Sequence, residues 1–153
     1  MGIKLGLRFA AQVLSIKSMA LITWDDSIKV GLWTIDTQHE RWVGFINDLY
    51  EAMLAGKGKT VLRQTLAAMV DYTRTHFADE EKLMSTHGYS GYAEHKAIHD
   101  AFVAQVLDLQ RRVQADEIGV SREVLNRLKD WLLNHIKVTD QDYVPFLKSK
   151  GVL

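Results

Sequence analysis

Five histidines and two acidic residues carry the chemistry that this chain could perform. His76 and Glu80 stand four residues apart, as do His95 and His99, while His39, His135 and Asp140 stand singly. Side chains four apart on a helix lie one above the other, so each pair can aim at one point. Imidazole nitrogen combined with carboxylate oxygen in that arrangement is a donor set for transition metals. The sixth histidine, His87, sits beside Gly88 at an expected helix end and reads as a surface or capping residue.

The sequence contains no cysteine. Disulfides, thiolate nucleophiles, zinc fingers and cysteine-ligated clusters are therefore excluded, and any metal must sit on nitrogen and oxygen. Seven donors exceed what one tetrahedral zinc accepts, so two ions are implied. Calcium and magnesium prefer oxygen, whereas iron, manganese or copper pairs all suit imidazoles with bridging carboxylates. The glutamate-rich pattern with ExxH pairs found in ferritin-like di-iron proteins is absent.

Positioning such a set requires long helices, and the apolar pattern supplies four. The first stripe reads His39, Trp42, Ile46, Leu49, Met53, and the second Leu62, Leu66, Met69, Thr73, His76, Glu80, Leu83. The third reads Tyr92, His95, His99, Phe102, Val106, Leu109, Val113, and the fourth Leu125, Leu128, Leu132, His135. Steps of three and four residues form the seam of helices packed at a shallow left-handed angle. Gly56, Gly58, Gly88, Gly91 and Gly119 separate the segments, with Asp36, Thr60, Ser90 and Ser121 expected as amino-terminal caps. The expected fold is all-α: an antiparallel up-down four-helix bundle. Residues 19–36, with Trp24 and Trp33, lack a stripe and are expected to form an irregular N-terminal arm packed across it.

All five histidines and Glu80 fall on the seams. Burying such groups unpaired costs on the order of several kcal/mol each, which metal coordination offsets. Asp140 alone is out of register, because an interval of five turns about 140 degrees away on a straight helix. A π-type widening near Val138 and Thr139, or the end of the helix there, is predicted to turn it inward. Asp79 and Glu81 lie off the stripe and read as solvated charges.

Length supports one domain over residues 19–153, preceded by an extension at 1–18. That extension shares features with a signal peptide but has a weak apolar region, the alternative being a dispensable segment ahead of Met19. Its charges at Lys4, Arg8 and Lys17 interrupt the apolar run, so no membrane span is expected. Nineteen basic residues balance nineteen acidic ones, which argues against a nucleic-acid partner. A soluble, cytoplasmic monomer is expected.

The segments Ile35-Asp36-Thr37-Gln38-His39, His76-Phe77-Ala78-Asp79-Glu80-Glu81, His95-Lys96-Ala97-Ile98-His99 and Trp131 to Asp140 resemble the four signature segments of hemerythrins, in order and correctly spaced. The similarity spans about residues 22–147 and is close to the single-domain bacterial members of that family. It implies two iron ions bridged by Glu80, Asp140 and an oxo or hydroxo group, one ion on His95, His99 and His135 and the other on His39 and His76. It also implies that the second ion keeps a position open to dioxygen, bound reversibly as the pair exchanges two electrons with it. Leu132, Phe77, Trp42 and Trp131 are candidates for a dry oxygen pocket. Trp42 stands where the family often has leucine, which is expected to narrow the oxygen route.

The function implied is oxygen carriage, storage or delivery to an oxygen-consuming recipient, by a binding protein and not an enzyme. The alternatives are a di-iron redox enzyme consuming peroxide or nitric oxide, for which no polar group near the open position is evident in the sequence, and an oxygen or iron sensor.

Overall fold

In a computed structural model of the chain, residues 20–153 are described. The expectation for residues 1–18 lies outside that range. Four long helices form the body: α1 (Trp33–Leu54), α2 (Lys59–His87), α3 (Tyr92–Gln114) and α4 (Arg122–Asn134). The backbone then continues through a π-helical stretch, His135–Thr139, and a 3-10 turn, Asp140–Asp142, into short α5 (Val144–Ser149). Connections of a few residues make successive helices antiparallel. Helix α1 packs against both α2 and α4, and α2 also packs against α3.

Each seam is buried, as its periodicity requires. Trp42, Ile46 and Leu49 of α1 meet Leu66, Met69 and Phe77 of α2, Phe102 and Val106 of α3, and Leu125 and Leu132 of α4 in one apolar core. The outer members of the expected stripes, Met53, Leu62, Leu83, Tyr92 and Leu109, are only half-buried. Between α3 and α4 a groove of about 590 Å³ opens over Phe102 and Trp131.

Helix starts differ from expectation at three of four places. Ser121 does cap α4, accepting from Val124 N at 3.3 Å. The flanking residues of α2 and α3 are instead Gly58 and Gly91, without side-chain caps. Helix α1 begins before Asp36, whose carboxylate turns back to accept from Val30 N (2.7 Å) and Gly31 N (2.9 Å). The result is a clasp on the preceding segment. At the other end of α2, Gly88 takes a left-handed φ of 72°, letting its own and the next N–H close on carbonyls of the last turn.

The arm is irregular as expected, but it ends at Leu32 and does not include Trp33, which opens α1 and is 76% exposed. Its buried anchors are Ile22, Ile28, Val30 and Leu32. Asn47 of α1 holds it by a reciprocal pair of hydrogen bonds with the Ile22 backbone, and Lys148 Nζ donates to the Val30 carbonyl at 2.9 Å.

Candidate metal centre

Seven polar side chains occupy the middle of this core. His39, His76, Glu80, His95, His99, His135 and Asp140 are all buried, each 4% exposed or less. One imidazole comes from α1; α2 supplies His76 and Glu80; α3 supplies His95 and His99 from successive turns; the π-helical stretch opens with His135.

Asp140 arrives by the backbone irregularity that its spacing demanded. Its N–H bonds the carbonyl of His135, five residues back, which is the π pattern. The widened turn brings Asp140 round to the face of His135 instead of leaving it on the flank of an α-helix.

The two carboxylates divide their oxygens between two groups of histidines. Glu80 turns Oε1 towards His39 (3.7 Å) and His76 (3.4 Å), and Oε2 towards His95 (3.8 Å), His99 (3.2 Å) and His135 (3.9 Å). Asp140 turns Oδ2 towards His39 at 3.2 Å and Oδ1 towards His95 (3.4 Å) and His135 (3.0 Å). These atoms are close without being aligned for hydrogen bonds: the Nε2 atoms of His39, His76 and His95, Glu80 Oε2 and both Asp140 oxygens have no hydrogen-bond partner. Buried polar atoms are rarely left so. Two sets of donors, Glu80 with His95, His99 and His135 and Glu80 with His39 and His76, each lie within the reach of one cation. The donor set therefore fits a bridged metal pair.

Electrostatics within the cluster agree with that reading. Burial would raise the Glu80 carboxyl, but His76 and the other three nearby imidazoles outweigh it and hold it well below its ordinary value. Asp140 is lowered too, burial and Glu80 opposing and His135 and His39 prevailing. Burial depresses His76 to about 4, only partly countered by Glu80. His135 goes the other way: burial is overcome by Asp140 and Glu80, which raise it to about 9. Both acids are held as anions, and they raise His95 as well as His135 against the effect of burial.

Several residues that serve the site were missed or misread in the sequence. Gln38 Oε1 accepts from His76 Nδ1 at 2.8 Å, and its Nε2 donates to Asp79 at 2.7 Å. Glu81 accepts from His99 Nδ1 at 3.0 Å. Asp79 and Glu81 are thus not simply solvated. Tyr143, fully buried, donates its hydroxyl to Glu80 Oε1 at 2.6 Å. That phenol is a polar group beside the centre, and burial followed by Glu80 and Asp140 holds it neutral, raised well above its ordinary value. Helical spacing offered one signal for it: Tyr143 follows Asp140 by three residues. His87 is at the end of α2, bonded to the Leu83 carbonyl at 2.8 Å and apart from the cluster.

Three of the four candidate pocket residues contact imidazoles. Phe77 stacks on His99 with centroids 3.7 Å apart, and Trp131 stacks on His135 at 4.5 Å. Trp42 meets His76 edge-on at 5.5 Å and also touches Phe77, Phe102 and Trp131. Leu132 is fully buried, while Trp131 is half-buried.

Comparison with known proteins points the same way. Residues 30–147 match the family described as hemerythrin HHE cation binding domain. A bacteriohemerythrin of Pseudomonas aeruginosa is 40% identical over 126 residues, 82% of this chain and 81% of the relative. A myohemerythrin of Riftia pachyptila is 32% identical over 120 residues, 78% of this chain and 88% of its own. A crystal structure of wild-type hemerythrin superposes with a TM-score of 0.78 at 35% identity, covering 84% of this chain and 98% of that one.

Proposed function

The chain belongs to the hemerythrin family, and from that premise we propose that it binds dioxygen reversibly at a bridged pair of iron ions in the bundle core. One observation carries the reading: Glu80 and Asp140 each turn one oxygen to a pair or trio of histidines and the other to the opposite group. In this reading His95, His99 and His135 would hold one iron, His39 and His76 would hold the other, and Glu80 and Asp140 would serve both. The two irons, when bound, would supply one electron each in a reversible exchange with dioxygen.

The protein's own part is to make the two positions unequal and dry. The position on His39 and His76 has one imidazole fewer, which leaves room for a small ligand. Trp42 on His76 and Phe77 on His99 place apolar surface against the centre, keeping bulk water from it, and the hydroxyl that stands beside it, that of Tyr143, is engaged by Glu80. Gln38 and Glu81 fix the Nδ1–H tautomers of His76 and His99, so both present an Nε2 lone pair inward. Five neutral imidazoles add less negative charge than further carboxylates would, which favours binding over oxidative attack on substrates.

Binding without turnover belongs to the same proposal, as does a cytoplasmic monomer that hands dioxygen to a consuming partner. The α-helices offer no span, none being long and apolar enough to cross a membrane among the described residues. The test is an iron count of the purified protein with absorption spectra after reduction, on exposure to air and on removal of oxygen. A spectrum that appears and disappears with oxygen, at two irons per chain, is expected. Sustained peroxide or nitric oxide consumption with an electron donor would replace the carrier reading with the enzymatic one.

A further inference from the structure

The side chains standing behind the histidines differ in charge from one group to the other. Behind His99 is a carboxylate, Glu81, at 3.0 Å from Nδ1. Lys96 lies 3.5 Å from that carboxylate but shares its charge with Asp100 at 2.7 Å and is half-exposed, so it neutralises Glu81 incompletely. Behind His76 is a neutral amide, Gln38, and the charge of Asp79 reaches the ring only through it. Behind His39 Nδ1 no hydrogen-bond partner stands, and none stands behind His135 Nδ1 in the other group, so the difference in charge between the groups comes from Glu81 alone.

Tyr143 adds to the inequality. Its hydroxyl donates to Glu80 Oε1, the oxygen nearer His39 and His76, whereas Oε2, facing the other three imidazoles, has no such claim on it. An oxygen that accepts a short O–H bond has less electron density to give to a cation. An imidazole whose N–H is donated to a carboxylate is a better donor than one bonded to an amide.

Both effects act in one direction. We infer that Glu81, Gln38 and Tyr143 are positioning residues that bias the centre electronically, making the position on His95, His99 and His135 rich in electron density and keeping the position on His39 and His76 poor. The inference rests on the ligand assignment proposed above. It goes beyond the difference in histidine number, because the bias comes from residues that do not touch the metal and can be altered by isosteric exchange.

Glu81→Gln keeps an oxygen that accepts from His99 Nδ1 and removes only the charge; Gln38→Glu, made together with Asp79→Asn so that the oxygen replacing Nε2 meets a donor and not a second carboxylate, adds the charge behind His76. The metal-free full-length protein and both variants are titrated with Co(II), following calorimetry and the visible absorption of the ion. The wild type is expected to take two Co(II) ions in a tight and a weaker step, with His76→Ala losing the weaker one. Glu81→Gln is expected to weaken the tight step by about 10- to 100-fold and leave the weaker step little changed. Gln38→Glu is expected to strengthen the weaker step, drawing the two together. Two ions taken up with the wild-type gap intact in either folded variant, or both steps weakened alike, overturns the inference while leaving the ligand assignment standing. No uptake by the wild type removes the assignment itself and the inference with it. A variant that does not fold leaves the decision to the other, whose added or removed charge tests the same bias.

Discussion

The Nε2 atoms of His99 and His135 lie 3.1 Å apart inside the bundle. Glu81 can only accept, so His99 carries its hydrogen on Nδ1 and turns a lone pair towards His135. A proton on His135 Nε2 satisfies that contact and faces the charge of Asp140 Oδ1, 3.0 Å away, without a hydrogen bond to it. With a cation between them, the same two nitrogens become neighbouring ligands. Proton and metal therefore compete for one place.

Metal uptake should accordingly release protons. His135, raised to about 9, is charged at pH 7 in the metal-free chain and must become neutral to bind. A pH-stat titration with metal at pH 7 is expected to record more protons released per chain than one at pH 10. Equal release at the two pH values would contradict the arrangement. Mild acid should likewise expel the metal, read as iron lost on dialysis.

Stability of the metal-free chain should fall on both sides of about pH 6.5. His76, lowered to about 4, binds fewer protons folded than unfolded between 6.5 and 4, so acidification through that window favours unfolding. His135, raised to about 9, contributes stability that is complete below 6.5 and is lost as pH rises through 9. Thermal unfolding against pH checks both limbs, and His135→Ala should reduce the alkaline one, to which His95, raised against its burial by Asp140 and Glu80, also contributes.

Substitution separates the site histidines from the sixth. His76→Ala should lower metal content from two ions towards one and abolish the oxygen-dependent spectrum. His87→Ala should leave iron content unchanged, because that ring is bonded to the Leu83 carbonyl away from the cluster. Metal analysis decides; iron lost from the His87 variant would refute the ligand assignment.

Trp42 is 1% exposed and lies edge-on to His76. Trp42→Leu should cost about 2 to 3 kcal/mol, below the range for truncation of a buried tryptophan to alanine. The space it leaves admits water beside His76, so irreversible oxidation of the reduced protein in air should quicken. Urea unfolding and the rate of spectral decay measure the two effects.

Tyr143→Phe removes a buried donor to a charged acceptor and should destabilise the fold by about 1.5 to 3 kcal/mol. Calorimetric unfolding of the metal-free variant against the wild type gives the difference.

Most of the bundle and all seven candidate ligands could be read from spacing alone. A step of three and four residues assigns a side chain to the inner face of its own helix, which is why the histidines and Glu80 were expected in the core and lie there. The interval from His135 to Asp140 even required the backbone to leave the α-helix, and it does. What periodicity could not reach was anything decided between elements. Asp36 has the chemistry of a helix cap, yet the neighbouring arm presents it with two amides and it binds those. Glu81, one residue past Glu80, points some 100 degrees away, and whether that direction meets water or the His99 ring depends on how α2 and α3 are rotated and staggered. The pairing of each carboxylate oxygen with one histidine group is of the same kind. Local spacing ranks faces within a helix; only the packing of all the helices sets the heights and angles at which side chains from different ones meet.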